Sequence, residues 1–275
     1  MSLIKFNDVS FSYTDEENTN IVFDHFTAEL PEGFVSLTGP NGSGKSTFLL
    51  LASGRIRPQN GTVYLNGKDI ASLDEEEKNL EASVIYQNME FESTEKVSEL
   101  LKTVYQNGNY KGKHAGIKNE AADIYDEVIS VFELNSILKH GLKEISKGEI
   151  QRTLLAFSIL YGSRSIFMDE PLFAMEQYQK ENALEYLNLY SRKTNTSIYI
   201  SMHELDLTKK YAPTVMLFYP NRDISLGTPE EVLTDEDLEK AYGIPASLLK
   251  NKESMTRESL IQTADAVLKV QQNSK

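Results

Sequence analysis

The chain has 275 residues, a formal net charge of -13 and no cysteine. That length allows one large domain or two small ones, and 40% hydrophobic residues can fill a sizeable core. Disulfides and thiolate metal sites are excluded by composition, and the acidic balance argues against nucleic acid as a partner. The opening Met-Ser-Leu-Ile-Lys-Phe lacks a signal peptide's apolar core, and no run approaches the ~18 apolar residues of a membrane span. The sequence is therefore read as a soluble cytosolic protein.

The first segment is β-rich, with Leu3, Ile4, Phe6, Val9, Phe11 and Tyr13 in a run of strand character. Asp15-Glu16-Glu17-Asn18 reads as a loop and Ile21–Leu30 as a second strand. Phe34-Val35-Ser36-Leu37 is a short apolar strand, followed after a glycine-rich stretch by a helix through Phe48–Leu51. Gly61–Gly67 predicts a hairpin arm ending in the turn signal Asn66-Gly67. Beyond Gln87 the period changes: Val97, Leu100, Leu101 and Val104, and later Ala121, Ile124, Val128 and Ile129, fall at helical spacing. Asn107–Gly116 between them reads as a loop. Strands return at Ile166-Phe167-Met168, Ser197–Ser201 and Val215–Tyr219, with helical stretches between them, which predicts an α/β core with a parallel sheet. The tail carries an amphipathic stripe at Leu260, Ile261, Ala264, Val267 and Leu268. That stripe can cover its own domain, pair with a second subunit, or lie on a membrane.

The glycine-rich stretch, residues 39–47, reads Gly-Pro-Asn-Gly-Ser-Gly-Lys-Ser-Thr. Between a strand and a helix this is a phosphate-binding P-loop. Gly39, Pro40, Asn41, Gly42, Ser43, Gly44, Lys45, Ser46 and Thr47 are the candidate nucleotide-binding residues. Backbone amides at a helix N-terminus face the anion, Lys45 reaches the β- and γ-phosphates, and Ser46 holds Mg²⁺. Downstream, Ser165-Ile-Phe-Met-Asp-Glu170 is an apolar strand ending in two acids. Beside a P-loop, Asp169 is the expected second Mg²⁺ anchor. Glu170, pointing elsewhere on an extended chain, faces an attacking water.

Residues 145–152 read Ile-Ser-Lys-Gly-Glu-Ile-Gln-Arg. With the P-loop and the Asp-Glu strand, this resembles the ATPase subunit of an ABC transporter. That family's signature is Leu-Ser-Gly-Gly-Gln followed by x-Gln-Arg, and it is matched here at Ser146, Gly148, Gln151 and Arg152. The resemblance implies that Tyr13 stacks on adenine and that Gln87 is the Q-loop residue at the metal. It implies that His203 contacts the γ-phosphate, and that Ser146, Lys147 and Gly148 meet the nucleotide held by an opposite subunit. Lys45, Gln87, Glu170 and His203 are then the catalytic set, and Ser46, Gln87 and Asp169 the metal set. Ser146 also begins a capping box, Ser-x-x-Glu149, before an apolar helix, so a purely structural reading of it is compatible with the functional one.

The implied fold is a P-loop NTPase core with a parallel sheet, an N-terminal antiparallel β subdomain and an inserted α-helical subdomain. Its expected bounds are 1–89 and 149–245 for the core, 90–148 for the insertion and 246–275 for a helical tail. The resemblance also implies ATP and Mg²⁺ as cofactors and a homodimer or heterodimer of ATPase subunits. Integral membrane permease chains and an extracytoplasmic substrate-binding protein are the further implied partners, with a cytoplasmic place on the inner face of the membrane. Residues 226–245 resemble the C-terminal region of iron-siderophore, haem and vitamin B12 importers. An exporter, a soluble non-transport ATPase and a non-hydrolysing half of a heterodimer remain open readings. Departures from the family pattern are Lys147 and Glu149 in the signature, and Phe173-Ala174-Met175-Glu176 where Ser-Ala-Leu-Asp is usual.

Overall fold

A computed structural model describes residues 2–15, 18–87, 89, 93–109, 116–246 and 249. The amphipathic stripe expected after Glu253 lies outside the described residues, as do parts of the loops expected at 15–18 and 107–116.

Strands β1 (Ser2–Thr14) and β2 (Thr19–Pro31) pair antiparallel, with Phe6 opposite Ala28 and Phe11 opposite Phe23. Ile4 and Phe6 are buried while Lys5 and Asn7 are exposed, the period-two alternation of a sheet with one wet face. β3 (Phe34–Thr38) leads through the glycine-rich loop to helix α1 (Lys45–Ala52). β4 (Asn60–Leu65) and β5 (Lys68–Asp69) complete an antiparallel sheet in the order β2-β1-β4-β5.

Helix α2 (Glu75–Glu81), capped by Asp74, leads into β6 (Ala82–Ile85). A helical region follows: α3 (Val97–Asn107), α4 (Ile124–Val131) and α5 (Lys147–Tyr161). The helix at 124 starts after Ala121 because the Asp123 carboxylate accepts from the Tyr125 amide and caps it there. Then come β7 (Ser165–Asp169), α6 (Gln177–Thr194), β8 (Ser197–Ser201), α7 (Leu205–Tyr211), β9 (Thr214–Phe218) and β10 (Ile224–Gly227). Short helices α8 (Pro229–Val232) and α9 (Asp235–Tyr242) follow, burying Val232 and Leu238.

The second sheet runs β10-β9-β3-β8-β7-β6. Every pair in it is parallel except the β9–β10 edge. The sequence predicts a parallel sheet; β10 departs from it because the short turn Tyr219–Asp223 is a hairpin, too tight for a crossover. Strands β3 and β8 are buried along their whole length, which is why they read as continuous apolar runs with small hydroxyls.

One aromatic stack ties the two sheets together. Phe48 of α1 stacks on Phe6 of β1 at 4.8 Å between centroids, and meets Phe218 of β9 edge-on at 5.6 Å. All three rings are fully buried, so α1 and the loop before it are clamped between the layers. In the helical region the Glu127 carboxylate accepts from the Lys118 and Asn119 amides at 2.9 Å and from the Tyr186 hydroxyl at 3.0 Å. This pins the segment before α4 to α6.

Candidate functional site

The strand order itself assembles the site. β3, β8, β7 and β6 are consecutive neighbours. Their C-terminal ends deliver, side by side, the glycine-rich loop, His203, the Asp169–Glu170 pair and Gln87. Ligands in open α/β sheets bind at that end. A cavity of about 560 Å³ opens there, lined by Tyr13, Asn41, Gly42, Gly44, Lys45, Ser46, Thr47, Gln87, Glu170 and His203, with Asn20, Val22, Phe173 and Arg222.

Gly39 starts the loop at φ 138°, and a Cβ there would stand 2.5 Å from the Phe218 carbonyl oxygen. Only glycine lets the loop leave β3 so close to β9. Lys45 is 6% exposed and folds back over the loop, donating to the Gly39 carbonyl at 2.8 Å and the Pro40 carbonyl at 3.0 Å. Burial lowers its pKa, and the nearby Glu170 and Asp169 carboxylates oppose that. The ammonium therefore stands at the cradle, held by carbonyls that an anion can replace. The Ser43 hydroxyl is buried and has no hydrogen-bond partner among the described residues. Ser46 is exposed at the first turn of α1, Asn41 is exposed and lines the cavity, and Pro40 is half-buried outside that lining. Thr47 donates to the Tyr13 hydroxyl at 3.4 Å, while the Tyr13 ring is 47% exposed at the cavity's far side.

Glu170 is the meeting point of three segments. It follows β7 in a left-handed conformation, φ 49°, which turns its side chain out of the strand direction. Gln87 Nε2 donates to Glu170 Oε2 at 2.8 Å, and His203 Nε2 lies 2.6 Å from Oε1. Ser201 at the end of β8 holds both acids: its hydroxyl donates to Asp169 Oδ1 at 2.6 Å and accepts from the Glu170 amide at 2.9 Å. Beside His203, Glu204 pairs with Lys180 of α6 at 2.6 Å, anchoring the start of α7. Burial alone would raise the Glu204 pKa, but the bond to Lys180 outweighs it and the net shift is downward.

Ser146, Lys147 and Gly148 are not among the residues lining this cavity. Ser146 and Lys147 are exposed at the N-terminus of α5. The Ser146 hydroxyl accepts from the Glu149 amide at 3.4 Å and the Ser146 amide donates to Glu149 Oε2 at 2.7 Å, the capping box that the spacing predicts; the hydroxyl also donates to Glu149 Oε2 at 2.7 Å. These bonds hold the Glu149 carboxyl below the usual carboxylate range. Gly148 touches the chain after Glu170: a Cβ there would stand 2.4 Å from the Ala174 carbonyl oxygen, and Ala174 is itself left-handed at φ 64°. Phe173, next to it, is 60% exposed and reaches the cavity edge.

Sequence reasoning missed Ser201, Asn20, Val22 and Arg222. Ser201 sits in an apolar run where a hydroxyl gives no signal, and the other three are brought in by loop and hairpin geometry. For a metal, the described residues contain no cluster of three or more acids or histidines. Ser46 and Gln87 line the cavity, Asp169 is held by Ser201 at the end of β7 and is not part of that lining, and a hydroxyl, an amide and one carboxylate are a sparse oxygen set. That suits Mg²⁺, which keeps waters and phosphate oxygens in its shell rather than entering a protein cage.

The ABC transporter family model matches residues 24–173. The Hemin import ATP-binding protein HmuV of Idiomarina loihiensis is 30% identical over 77% of this chain and 81% of its own. The Petrobactin import ATP-binding protein YclP of Bacillus subtilis is 24% identical over 84% of this chain and 92% of its own. A solved ATP-binding subunit of an ABC transporter superposes with a TM-score of 0.70 at 21% identity, over 91% of this chain and 99% of that one. With more than half of its length matched by the family, the chain belongs to the ABC transporters, as an ATP-binding domain with ATPase activity.

Proposed function

We propose that this chain drives a separate membrane permease that imports a metal chelate of the haem or siderophore kind. Two such subunits would close head to tail around two ATP molecules. The observation that carries the two-subunit reading is the separation of Ser146–Gly148 from the cavity that Lys45, Glu170 and His203 share. An exposed helix N-terminus, capped only by its own Glu149, is suited to a phosphate held by a second chain. The cargo class rests on the relatives, whose names give hemin and petrobactin import.

In this reading Tyr13 stacks on adenine, and Gly39–Thr47 wraps the phosphates with Lys45 on the β- and γ-oxygens. Ser46, Gln87 and Asp169 would hold Mg²⁺, which when bound neutralises charge on those oxygens. Glu170 accepts a proton from water as the water oxygen bonds to the γ-phosphorus and the bond to the bridging oxygen breaks, leaving ADP and phosphate. His203 donates toward the γ-phosphate. Both Glu170 oxygens are engaged by Gln87 and His203 in this structure, so the carboxylate must exchange one of them for water on closure. Gln87 thereby links the segment after β6 to the catalytic acid. The position is cytoplasmic, on the inner membrane face through the permease, with a substrate-binding protein on the other side. Among the described residues no helix is long and apolar enough to cross a membrane, so the transport path belongs to other chains.

The test is recovery of this chain from detergent-solubilised membranes with mass identification of what accompanies it. A polytopic permease encoded beside a chelate-binding protein is expected. Recovery of soluble partners only would contradict the importer reading and leave the ATPase chemistry intact.

A further inference from the structure

The hairpin turn between β9 and β10 carries a residue that the turn itself disfavours. The Tyr219 amide donates to the Asp223 carbonyl at 3.0 Å, and the Arg222 amide donates to the Tyr219 carbonyl at 3.0 Å. Arg222 closes the loop at φ 74°. Such hairpin loops end on a left-handed residue, a position that glycine fills without steric cost and a long side chain does not. Backbone strain of this kind persists where the side chain is used.

The Arg222 side chain runs from the turn onto the phosphate loop. Its Nη1 donates to the Gly42 carbonyl, and a Cβ on Gly44 would stand 4.0 Å from the same nitrogen. Arg222 lines the cavity together with Val22, Gly42, Gly44 and Lys45. It has no carboxylate within ion-pair distance among the described residues. Asp223 beside it accepts instead from the Asn221 side-chain amide at 2.6 Å. A half-buried guanidinium thus spends one donor on a loop carbonyl and lines the cavity whose wall includes the loop glycines and Lys45. Lys45 and Arg222 line one cavity, and an anion bound against both gains a charge-assisted contact from each. A guanidinium fork matches phosphate oxygens in two parallel bonds, which an ammonium cannot do.

We infer that Arg222 is a further nucleotide-binding residue, whose guanidinium takes a phosphate oxygen of the bound nucleoside polyphosphate over Gly42 and Gly44. The inference rests on the ATP-site reading above and adds a residue to it. The glycine loop cradles the α- and β-phosphates and the lysine reaches toward the γ. Arg222 therefore acts on the part of the ligand that ATP and ADP share.

The experiment is calorimetric titration of ATP and of ADP, each with Mg²⁺, into the full chain and into Arg222→Gly and Arg222→Gln. Glycine suits the turn's φ, so Arg222→Gly should unfold at or above the wild-type temperature without nucleotide. Glutamine keeps a neutral donor for the Gly42 carbonyl. Both variants are expected to lose about tenfold or more in affinity, equally for ATP and ADP, as removal of a charge-assisted phosphate contact demands. Wild-type affinity in Arg222→Gln would overturn the inference, because the side chain would then serve only to hold the loop. So would a loss confined to ATP. Failure of the unaltered chain to bind either nucleotide would overturn the whole site, a result distinct from normal binding by the variants.

Discussion

The imidazole Nε2 of His203 lies 2.6 Å from Oε1 of Glu170, within hydrogen-bond distance. Gln87 occupies the other carboxylate oxygen. Replacing Glu170 by Gln keeps the shape of the site and removes the base. Phosphate release is expected to fall by about 10²- to 10⁴-fold with ATP affinity retained, the range for a lost general base. His203→Ala is expected to slow turnover by about 10²- to 10³-fold, as for a lost transition-state donor. Steady-state hydrolysis by the purified variants checks both, and native rates in Glu170→Gln would remove Glu170 from the base role.

Lys45 donates to two carbonyls of its own loop while its ammonium is nearly buried. Lys45→Ala should weaken ATP binding by about ten- to a hundredfold, the equivalent of one charge-assisted hydrogen bond of about 1.5–3 kcal/mol. Fluorescent-nucleotide titration reads this directly, and unchanged affinity would count against the phosphate cradle.

Gly148 offers a test in which two effects oppose each other. Alanine is a better helix former than glycine by about 1 kcal/mol. Its Cβ would stand 2.4 Å from the Ala174 carbonyl oxygen, a backbone atom that cannot swing aside. Overpacking of this kind costs about 1–3 kcal/mol, so the clash wins and Gly148→Ala should be less stable in urea. A gain in stability would show that the segment after Glu170 yields easily.

Glu127 should make stability depend on pH. Burial pushes its pKa up, but the Asn119, Lys118 and Ile117 amides and the Tyr186 hydroxyl pull it down further, leaving it below the ordinary 4.5. A carboxylate with a depressed folded-state pKa contributes fully above its unfolded value and loses that contribution as pH falls through the folded one. Glu127→Gln is therefore expected to cost about 1–3 kcal/mol at pH 7, as for a weakened buried acceptor. The deficit should narrow as pH drops below 4.5. A deficit that stays constant between pH 7 and pH 3 would contradict this.

The parts of the site that were legible in the sequence are those encoded by local spacing. The P-loop needs its glycines and Lys45 within one turn, and the apolar run before Asp169 needs only a buried strand. Ser146 with Glu149 is a local cap, readable from two residues. What was not legible depends on neighbours far apart in the chain. Ser201 bridges Asp169 and Glu170 only because β7 and β8 are adjacent. Arg222 reaches the loop only because β9 lies beside β3 and ends in a hairpin. The helix at Glu75–Glu81 shows no apolar stripe. Its one sequence signal is Asp74, whose carboxylate accepts from the Glu77 amide.

The central claim is that one ATP site is completed by two chains, because Ser146–Gly148 lie outside the cavity that holds Lys45, Glu170 and His203. Sedimentation of Glu170→Gln with and without MgATP tests it most directly, since that variant should bind ATP and not consume it. The account predicts a species of twice the 31.1 kDa chain mass with MgATP and the single chain without it. A chain that remains single while saturated with MgATP would contradict the shared site.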